Sequence, residues 1–434
     1  MTLASTALGC KVNQYEAAQL AEKLAAAGFE AVPFHARADV YVINTCCVTA
    51  ESEAKSRKLI RRARGQNPDA LVAVTGCYAE MDAEAVRRAG SPDLVVGNGE
   101  KSRLPELILE RLAALGRLPA APGPAACAAS MPAGPAAPAP GRQPRTRAVL
   151  KVQDGCDQFC SYCIIPYARG PLRSRTADDA AAEMAALCAR GYREIVLTGI
   201  HLTKYGADLP GRPDLTALLE RAEQIPGLER VRLGSMEPGF FTPARLDRLS
   251  GFQKLCPHFH ISLQSGCDRT LAAMRRGYTA AEYRREAERL YAAFPDCAIT
   301  TDVIVGFPGE TDADFAASCR FADELGFAKV HVFPFSPRAG TPAAQMPQVD
   351  AAVKAARVRE MLALASGAQE RYLAGWIGRT LPVLFERVKD GAARGHTANY
   401  IPVTVRTESD VHNQILPVRL LSATGGECKG ELLP

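Results

Sequence analysis

The sequence lacks any uninterrupted run of the 18–20 or so apolar residues that a helix needs to cross a bilayer. It also lacks a basic segment followed by an apolar stretch at its N-terminus, so we expect no secretory leader, no membrane partner and a cytoplasmic location. Charge is almost balanced, with 52 Lys and Arg against 47 Asp and Glu. This balance permits an anionic partner without requiring one. A hydrophobic fraction of 47% excludes a wholly disordered chain.

Cysteine, in contrast, is abundant: the 434 residues include 14 cysteines. A cytosolic chain long enough for two to four domains builds its cores without disulfides. We therefore interpret these cysteines as metal ligands, catalytic groups or small buried hydrophobic residues.

A low-complexity segment divides the chain. Between positions 119 and 140, 19 of 22 residues are Ala, Pro or Gly, and no apolar periodicity is present. Prolines remove backbone donors and favour extended conformations. The composition predicts a linker over residues 117–145.

Before this segment, short apolar runs alternate with helical patterns, which predicts a doubly wound α/β domain over residues 1–116. Cys10, Cys46 and Cys77 each follow a predicted strand. Because the carboxyl ends of parallel strands line one crevice, these three cysteines can converge although they are far apart in sequence. The predicted strands cover residues 3–8, 40–44, 71–75 and 94–96.

The same alternation returns after the linker and predicts a partial barrel of six βα units over residues 146–367, with functional groups at the carboxyl ends of its strands. From residue 368 to 434, β-rich runs separated by glycine-containing turns predict a small all-β domain. The predicted barrel strands cover residues 148–152, 194–198, 230–235, 258–263, 299–305 and 329–335.

Cys156, Cys160 and Cys163 form a C-x3-C-x2-C motif directly after the first barrel strand. Three thiolates on one tight loop can hold three irons of a 4Fe–4S cluster and leave the fourth iron open. A structural zinc site would need a fourth ligand, and no other Cys or His is close in sequence. Three unrelated buried cysteines, or a zinc loop, remain the alternative interpretation.

This spacing, with an aromatic residue before the last cysteine, resembles the signature of the radical S-adenosylmethionine (SAM) enzymes. The resemblance implies that SAM binds the open iron and is cleaved to a 5′-deoxyadenosyl radical. Residues at the strand ends suit an adenosine, because glycines allow close approach and polar side chains can bind its ribose and amino groups. The candidate SAM-binding residues are Tyr162, Gly199, Ser235, Glu237, Gln264, Asp302 and Gly306.

The whole chain resembles the methylthiotransferase family, which combines an N-terminal methylthiotransferase domain, a radical SAM barrel and a C-terminal TRAM domain. Spacing alone would leave the N-terminal cysteines as structural. The resemblance implies instead that Cys10, Cys46 and Cys77 hold a second 4Fe–4S cluster, and Cys47, a second thiol beside Cys46, departs from the family pattern. It also implies that SAM serves as methyl donor and as radical source, without a conventional general base.

The strings KVNQYE (residues 11–16) and CDQFCSYCIIPYARG (residues 156–170) look like the branch that adds 2-methylthio to N6-threonylcarbamoyladenosine at tRNA position 37. The implied partners are the tRNA anticodon stem-loop, an electron donor and a sulfur donor. The rivals are the isopentenyladenosine branch, the branch that modifies an aspartate of a small-subunit ribosomal protein, and a non-catalytic iron–sulfur RNA-binding protein. The candidate RNA contacts are Arg169, Arg173, Arg175, Arg394, Asn399 and Tyr400.

Overall fold

The computed structural model describes residues 1–117 and 146–433, so most of the predicted linker lies outside the described residues. The N-terminal unit is a parallel sheet in the order β2-β1-β3-β4-β5. Its strands are Thr2–Ala7 (β1), Glu30–Val32 (β2), Val40–Thr45 (β3), Leu71–Gly76 (β4) and Leu94–Val96 (β5). Its helices are Lys11–Ala26 (α1), Ala50–Gln66 (α2), Cys77–Met81 (α3), Ala83–Arg88 (α4) and Leu104–Ala114 (α5).

Side chains on the central strands of this sheet alternate between two cores. Val40 and Val42 pack with α1 and α5 on one face, whereas Tyr41 and Ile43 pack with α2 on the other. Alternate burial on both faces is the pattern of a sheet covered by helices on each side. The predicted doubly wound domain is therefore confirmed.

The central unit is an open barrel of parallel strands, in which the third strand is interrupted at Gly234. Its two sheets, β10-β9-β6 and β11-β12-β13-β14, are joined by a parallel bridge from Val231 to Leu255. A two-stranded ribbon, β7 with β8, carries the cluster loop. The strands are Arg147–Lys151 (β6), Gln153–Asp154 (β7), Arg173–Ser174 (β8), Glu194–Thr198 (β9), Arg230–Leu233 (β10), Ser235–Met236 (β11), His258–Ile261 (β12), Ala298–Val305 (β13) and Lys329–Pro334 (β14).

Helices surround this barrel and one of them leads out of it. The helix Ala351–Ala374 packs against β14 and runs past residue 367, where the sequence predicted the end of the barrel. The barrel helices are Ile165–Arg169 (α6), Ala177–Ala189 (α7), Leu215–Glu223 (α8), Pro243–Leu249 (α9), Asp268–Ala273 (α10), Ala280–Ala293 (α11), Asp312–Glu324 (α12) and Ala351–Ala374 (α13). No helix in the described ranges is long and apolar enough to span a membrane.

The C-terminal unit is a closed five-stranded barrel with the order β15-β16-β17-β19-β18. It lies across the amino-terminal ends of the central strands, where Arg230 donates to the carbonyl oxygens of Pro382 and His396. The end of the central barrel opposite the cysteine loop is thereby covered. Its strands are Thr380–Lys389 (β15), Ala392–Thr397 (β16), Pro402–Arg406 (β17), Ile415–Thr424 (β18) and Glu427–Leu432 (β19).

Candidate active site

The N-terminal cysteines lie at the carboxyl edge of the parallel sheet. Cys10 directly precedes α1, Cys46 follows β3 and Cys77 begins α3. Gly9 has a φ of +89°, and a Cβ there would lie 2.6 Å from the Cys46 sulfur, so only glycine lets the two loops meet. Burial raises the pKa of the Cys46 thiol to about 11, and the neighbouring thiols of Cys77 and Cys10 add to the rise. The structure thus brings the three predicted ligands together.

Cys47 adds a fourth sulfur to this group. It is buried, and its thiol hydrogen-bonds to the sulfur of Cys77. That contact lowers the pKa of the Cys77 thiol, with help from the nearby cations Arg169 and Lys101. Nε of Arg169 also donates to the Cys77 sulfur at 3.2 Å, so a buried cation stabilises its thiolate, which is the form that binds metal.

The second set of cysteines lies on the loop between β7 and α6. Burial raises the pKa of the Cys163 thiol to about 12, and Cys160 and Cys156 add to the rise because they are close. Nη1 of Arg276 donates to the Cys160 sulfur at 3.3 Å. The same guanidinium forms an ion pair with Glu237, and its Nη1 also lies 3.4 Å from the Tyr162 hydroxyl.

Both sets of cysteines have the donor chemistry of a 4Fe–4S site with one open iron, because each provides three thiols. Among the residues that the structure describes, no three His, Cys, Asp or Glu side chains converge closely enough to hold one metal ion. A cubane attaches each thiolate to a different iron, so its cysteines form a wider triangle. Each set also has a buried arginine beside one sulfur, Arg169 or Arg276, which suits the negative charge of a thiolate-bound cluster.

A cavity of about 790 Å³ connects the N-terminal cysteines to the interior of the central barrel. Gly199, Ser235 and Asp302 line it, as does Cys10. Tyr162 and Gln264 instead line a neighbouring cavity of about 230 Å³, which Asp302 also reaches. Five of the seven candidate SAM-binding residues therefore line one of these two cavities, and Cys163 lines the smaller one.

Gly306 was predicted to contact SAM, but it lines neither of these two cavities. Its amide donates to the Glu310 carboxylate at 2.8 Å, and a Cβ there would meet the Lys354 side chain. Glu310 is in turn held by Arg357. The Gly306 amide is thereby engaged within the protein.

The cavity is lined by more cations than anions. Lys11 enters from the N-terminal domain, Lys329 lies at the start of β14, and both are exposed. In residues 1–117 and 146–433 neither lysine forms an ion pair. Asp302, in contrast, pairs with His260 at 3.2 Å. The open part of the cavity thus offers two unpaired ammonium groups to a ligand.

The prediction that Arg169, near the cluster loop, contacts RNA is wrong. Its side chain is 1% exposed and its Nη1 pairs with Glu16 at 2.6 Å, so it cannot reach a phosphate. Arg175 is committed to Glu183 at 2.6 Å and to Asp179 at 2.7 Å. Arg173 is half-exposed, although its Nη2 lies 3.6 Å from the Asp154 carboxylate and donates to the Arg169 carbonyl at 2.9 Å.

The three residues of the C-terminal domain that were predicted to contact RNA lie in different environments. Asn399 as an RNA contact is wrong, because it is buried and its Nδ2 donates to the Asp296 carbonyl at 3.1 Å. Tyr400 lines the cavity rather than the outer surface, with His396 stacked on its ring at 4.7 Å. Arg394 is exposed on β16 and pairs in register with the equally exposed Arg387 on β15.

Several residues of the site escaped sequence reasoning. Arg276 follows a short helix, and no spacing connects it to Cys160, 116 positions away. Lys101 contacts Glu16 at 2.6 Å across 85 positions. Glu16 and Lys11 lie within the motif KVNQYE (residues 11–16), and this motif was the only sequence signal that pointed to them.

Comparison with known proteins agrees with this architecture. A family model described as the Radical SAM superfamily matches residues 150–322, and one described as Uncharacterized protein family UPF0004 matches residues 2–97. Together with near-full-length relatives, these matches show that the chain belongs to the radical SAM methylthiotransferase family.

Two relatives illustrate the branches within that family. The chain is 38% identical to the threonylcarbamoyladenosine tRNA methylthiotransferase MtaB of Bacillus subtilis, over 97% of this chain and 94% of that protein. It is 37% identical to the tRNA-2-methylthio-N(6)-dimethylallyladenosine synthase of Sphingopyxis alaskensis, over 96% of this chain and 94% of that protein. Among solved structures, the radical SAM methyltransferase TsrM of Kitasatospora setae shares the fold, with a TM-score of 0.58 at 16% identity over 79% of this chain and 77% of that one.

Proposed function

We propose that this enzyme adds a methylthio group to C2 of N6-threonylcarbamoyladenosine at position 37 of tRNA. Overall identity does not choose the branch, because 38% to one relative and 37% to the other are equivalent. The observation that supports this substrate is the pair of unpaired lysines, Lys11 and Lys329, in the cavity beside Cys10. The threonylcarbamoyl group carries a free carboxylate, which an ammonium group binds strongly.

The rival substrate has a different chemistry. A dimethylallyl group is uncharged and apolar, and it would be matched by an apolar lining. The lining here includes Lys11, Lys329, His260 and His331. Placing a hydrocarbon there would desolvate charged groups without compensation.

The domains would divide the work. Residues 1–116 would hold one 4Fe–4S cluster through Cys10, Cys46 and Cys77, and residues 146–367 would hold the other through the C-x3-C-x2-C loop. Residues 368–434 would bind the anticodon stem-loop on the face of Arg394, with residues 117–145 as the linker. A tRNA substrate would place the reaction in the cytoplasm, supplied by an electron donor and a sulfur donor.

When bound, the two clusters and SAM would supply the methyl group and the carbon radical needed to functionalise an unactivated aromatic C–H bond, with sulfur and electrons coming from the two donors. The protein would hold the base by its carboxylate at Lys11 and Lys329. Asp302 and Ser235 would provide polar contacts deeper in the cavity. Arg232 donates to the Ala398 carbonyl at 2.9 Å, which helps to close the far end of the barrel against water.

The test is mass spectrometry of tRNA nucleosides from cells with and without the gene. The proposal predicts that the deletion removes 2-methylthio-N6-threonylcarbamoyladenosine and leaves its precursor. Re-expression of the intact chain should restore the product, whereas the Cys160→Ala variant should not. Loss of the dimethylallyl product instead would assign the enzyme to the rival branch, and an unchanged tRNA profile would refute a tRNA substrate.

A further inference from the structure

Each predicted cluster site contains a cysteine whose sulfur accepts a hydrogen bond from a buried arginine. Nε of Arg169 lies 3.2 Å from the Cys77 sulfur, and Nη1 of Arg276 lies 3.3 Å from the Cys160 sulfur. The two arginines are only 3% and 8% exposed. An arginine is permanently charged, and burial leaves its field on the sulfur largely unscreened by solvent.

Arg169 makes this contact across a domain boundary. It ends helix α6, six positions after Cys163, so it belongs to the barrel, whereas Cys77 belongs to the N-terminal domain. Its other nitrogens are fixed by the same domain: Nη1 donates to Glu16 at 2.6 Å, and Nη2 donates to Asn13. The guanidinium fork is held on three sides, and its Nε–H is thereby aimed at the sulfur.

The surrounding charges show that this cation is not needed merely to neutralise Glu16. Lys101 contacts one carboxylate oxygen of Glu16 at 2.6 Å, and Lys151 contacts the other at 2.8 Å. Arg169 and Lys151 also pair with Asp154, so two carboxylates share three cations. The remaining positive charge is explained if the thiolate of Cys77 is a further anion of the group. The cluster that Cys77 would carry supplies that negative charge.

We propose that Arg169 and Arg276 are positioning residues that raise the reduction potential of one cluster each, with Arg169 acting from the barrel on the N-terminal cluster. An N–H···S bond from a cation withdraws electron density from the thiolate. It therefore stabilises the more negative, reduced state of the cluster, which forms when one electron is taken from an external reductant. The proposal rests on the proposed function in one respect only, that both cysteine sets hold clusters.

The test is a potentiometric titration followed by electron paramagnetic resonance, with each cluster measured alone. A chain with Cys156, Cys160 and Cys163 changed to Ala isolates the N-terminal cluster, and one with Cys10, Cys46 and Cys77 changed to Ala isolates the barrel cluster. Arg169→Met should lower the midpoint potential of the N-terminal cluster and leave the barrel cluster unchanged. Arg276→Met should lower the midpoint potential of the barrel cluster and leave the N-terminal cluster unchanged.

Arg248→Met is the control, because Arg248 is exposed on α9 and far from either cysteine set in sequence. If the Arg169→Met variant loses its iron, Arg169→Lys is the variant to measure. Lysine keeps the positive charge but cannot contact Glu16 and Cys77 together. We expect a smaller downward shift for that variant. Unchanged potentials in iron-loaded protein, or equal shifts of both clusters, would overturn the proposal. If neither single-cluster chain binds iron when Arg169 and Arg276 are both intact, the cofactor assignment of the proposed function is refuted instead.

Discussion

The Tyr15 hydroxyl donates to the carboxylate of Glu183, with its oxygen 3.0 and 3.1 Å from the two carboxylate oxygens. The bond joins α1 of the N-terminal domain to α7 of the central barrel. Both side chains are buried, and Arg175 holds the second side of the carboxylate at 2.6 Å. This contact helps to fix α1, and therefore Cys10 and Lys11 at its start, against the barrel.

Changing Tyr15 to Phe should weaken this junction without creating a cavity. A buried hydrogen bond to a charged group contributes about 1.5–3 kcal/mol to stability. We expect the lowest unfolding transition in differential scanning calorimetry to fall by about 3–12 °C, at about 2–4 °C per kcal/mol. Tyr167→Phe is the matched control, because Tyr167 is half-exposed. Equal transition temperatures for the two variants would contradict the role of Tyr15.

The two adjacent cysteines of the N-terminal site can be separated by iron content. If Cys46 is a ligand and Cys47 only hydrogen-bonds to Cys77, Cys46→Ala should lose about half of the iron and Cys47→Ala should keep it. Iron and sulfide analysis after anaerobic reconstitution measures this directly. The reverse pattern would make Cys47 the ligand. It would also mean that the thiol next to Cys77 is part of the cluster site rather than its surroundings.

The choice of substrate branch depends on Lys11 and Lys329. We expect the double change to Met to weaken binding of a threonylcarbamoyl stem-loop by about tenfold, the loss of roughly one charged hydrogen bond. Binding of the same stem-loop with unmodified adenosine should change little. Fluorescence anisotropy at fixed salt concentration measures both affinities.

The control for this pair is Lys23→Met, an exposed lysine on the same helix as Lys11 that does not line the cavity. If the double variant loses affinity for both RNAs equally, the lysines contact phosphates and not the substrate carboxylate. In that case the cavity charge no longer distinguishes between the two branches.

Local sequence patterns predicted the sheets well where strands are buried and apolar. The strand Glu194–Thr198 coincides with its prediction, because the apolar run 195–197 lies between turn signals and has few alternatives. Glu30–Val32 was missed because this short edge strand is largely exposed and carries no alternating pattern. The helix Cys77–Met81 was missed because five residues are too few to show a helical period.

The cysteine ligands could be predicted, but the groups that act on them could not. Cys156, Cys160 and Cys163 are neighbours in sequence, so their spacing carries the information. Arg169 and Glu16 are 153 positions apart, and nothing local distinguishes a buried arginine from one that faces RNA. Arg169 was therefore assigned to phosphate binding, whereas the fold uses it between two domains.

Gly155, immediately before the first barrel cysteine, is the position where a single methyl group should be most harmful to that site. Its φ is +74°, and a Cβ would collide with the backbone carbonyl of Pro171 on the other side of the cluster loop. Gly155→Ala should therefore displace Cys156 and reduce iron incorporation by about half, with loss of SAM cleavage.

Gly211 provides the control: its φ is +72°, but nothing lies within 4 Å of a Cβ there. Gly211→Ala should cost only the backbone strain, about 1 kcal/mol, and keep its iron. If both variants retain full iron, the close approach of the Gly155 backbone to Pro171 is not what holds the cluster loop in place.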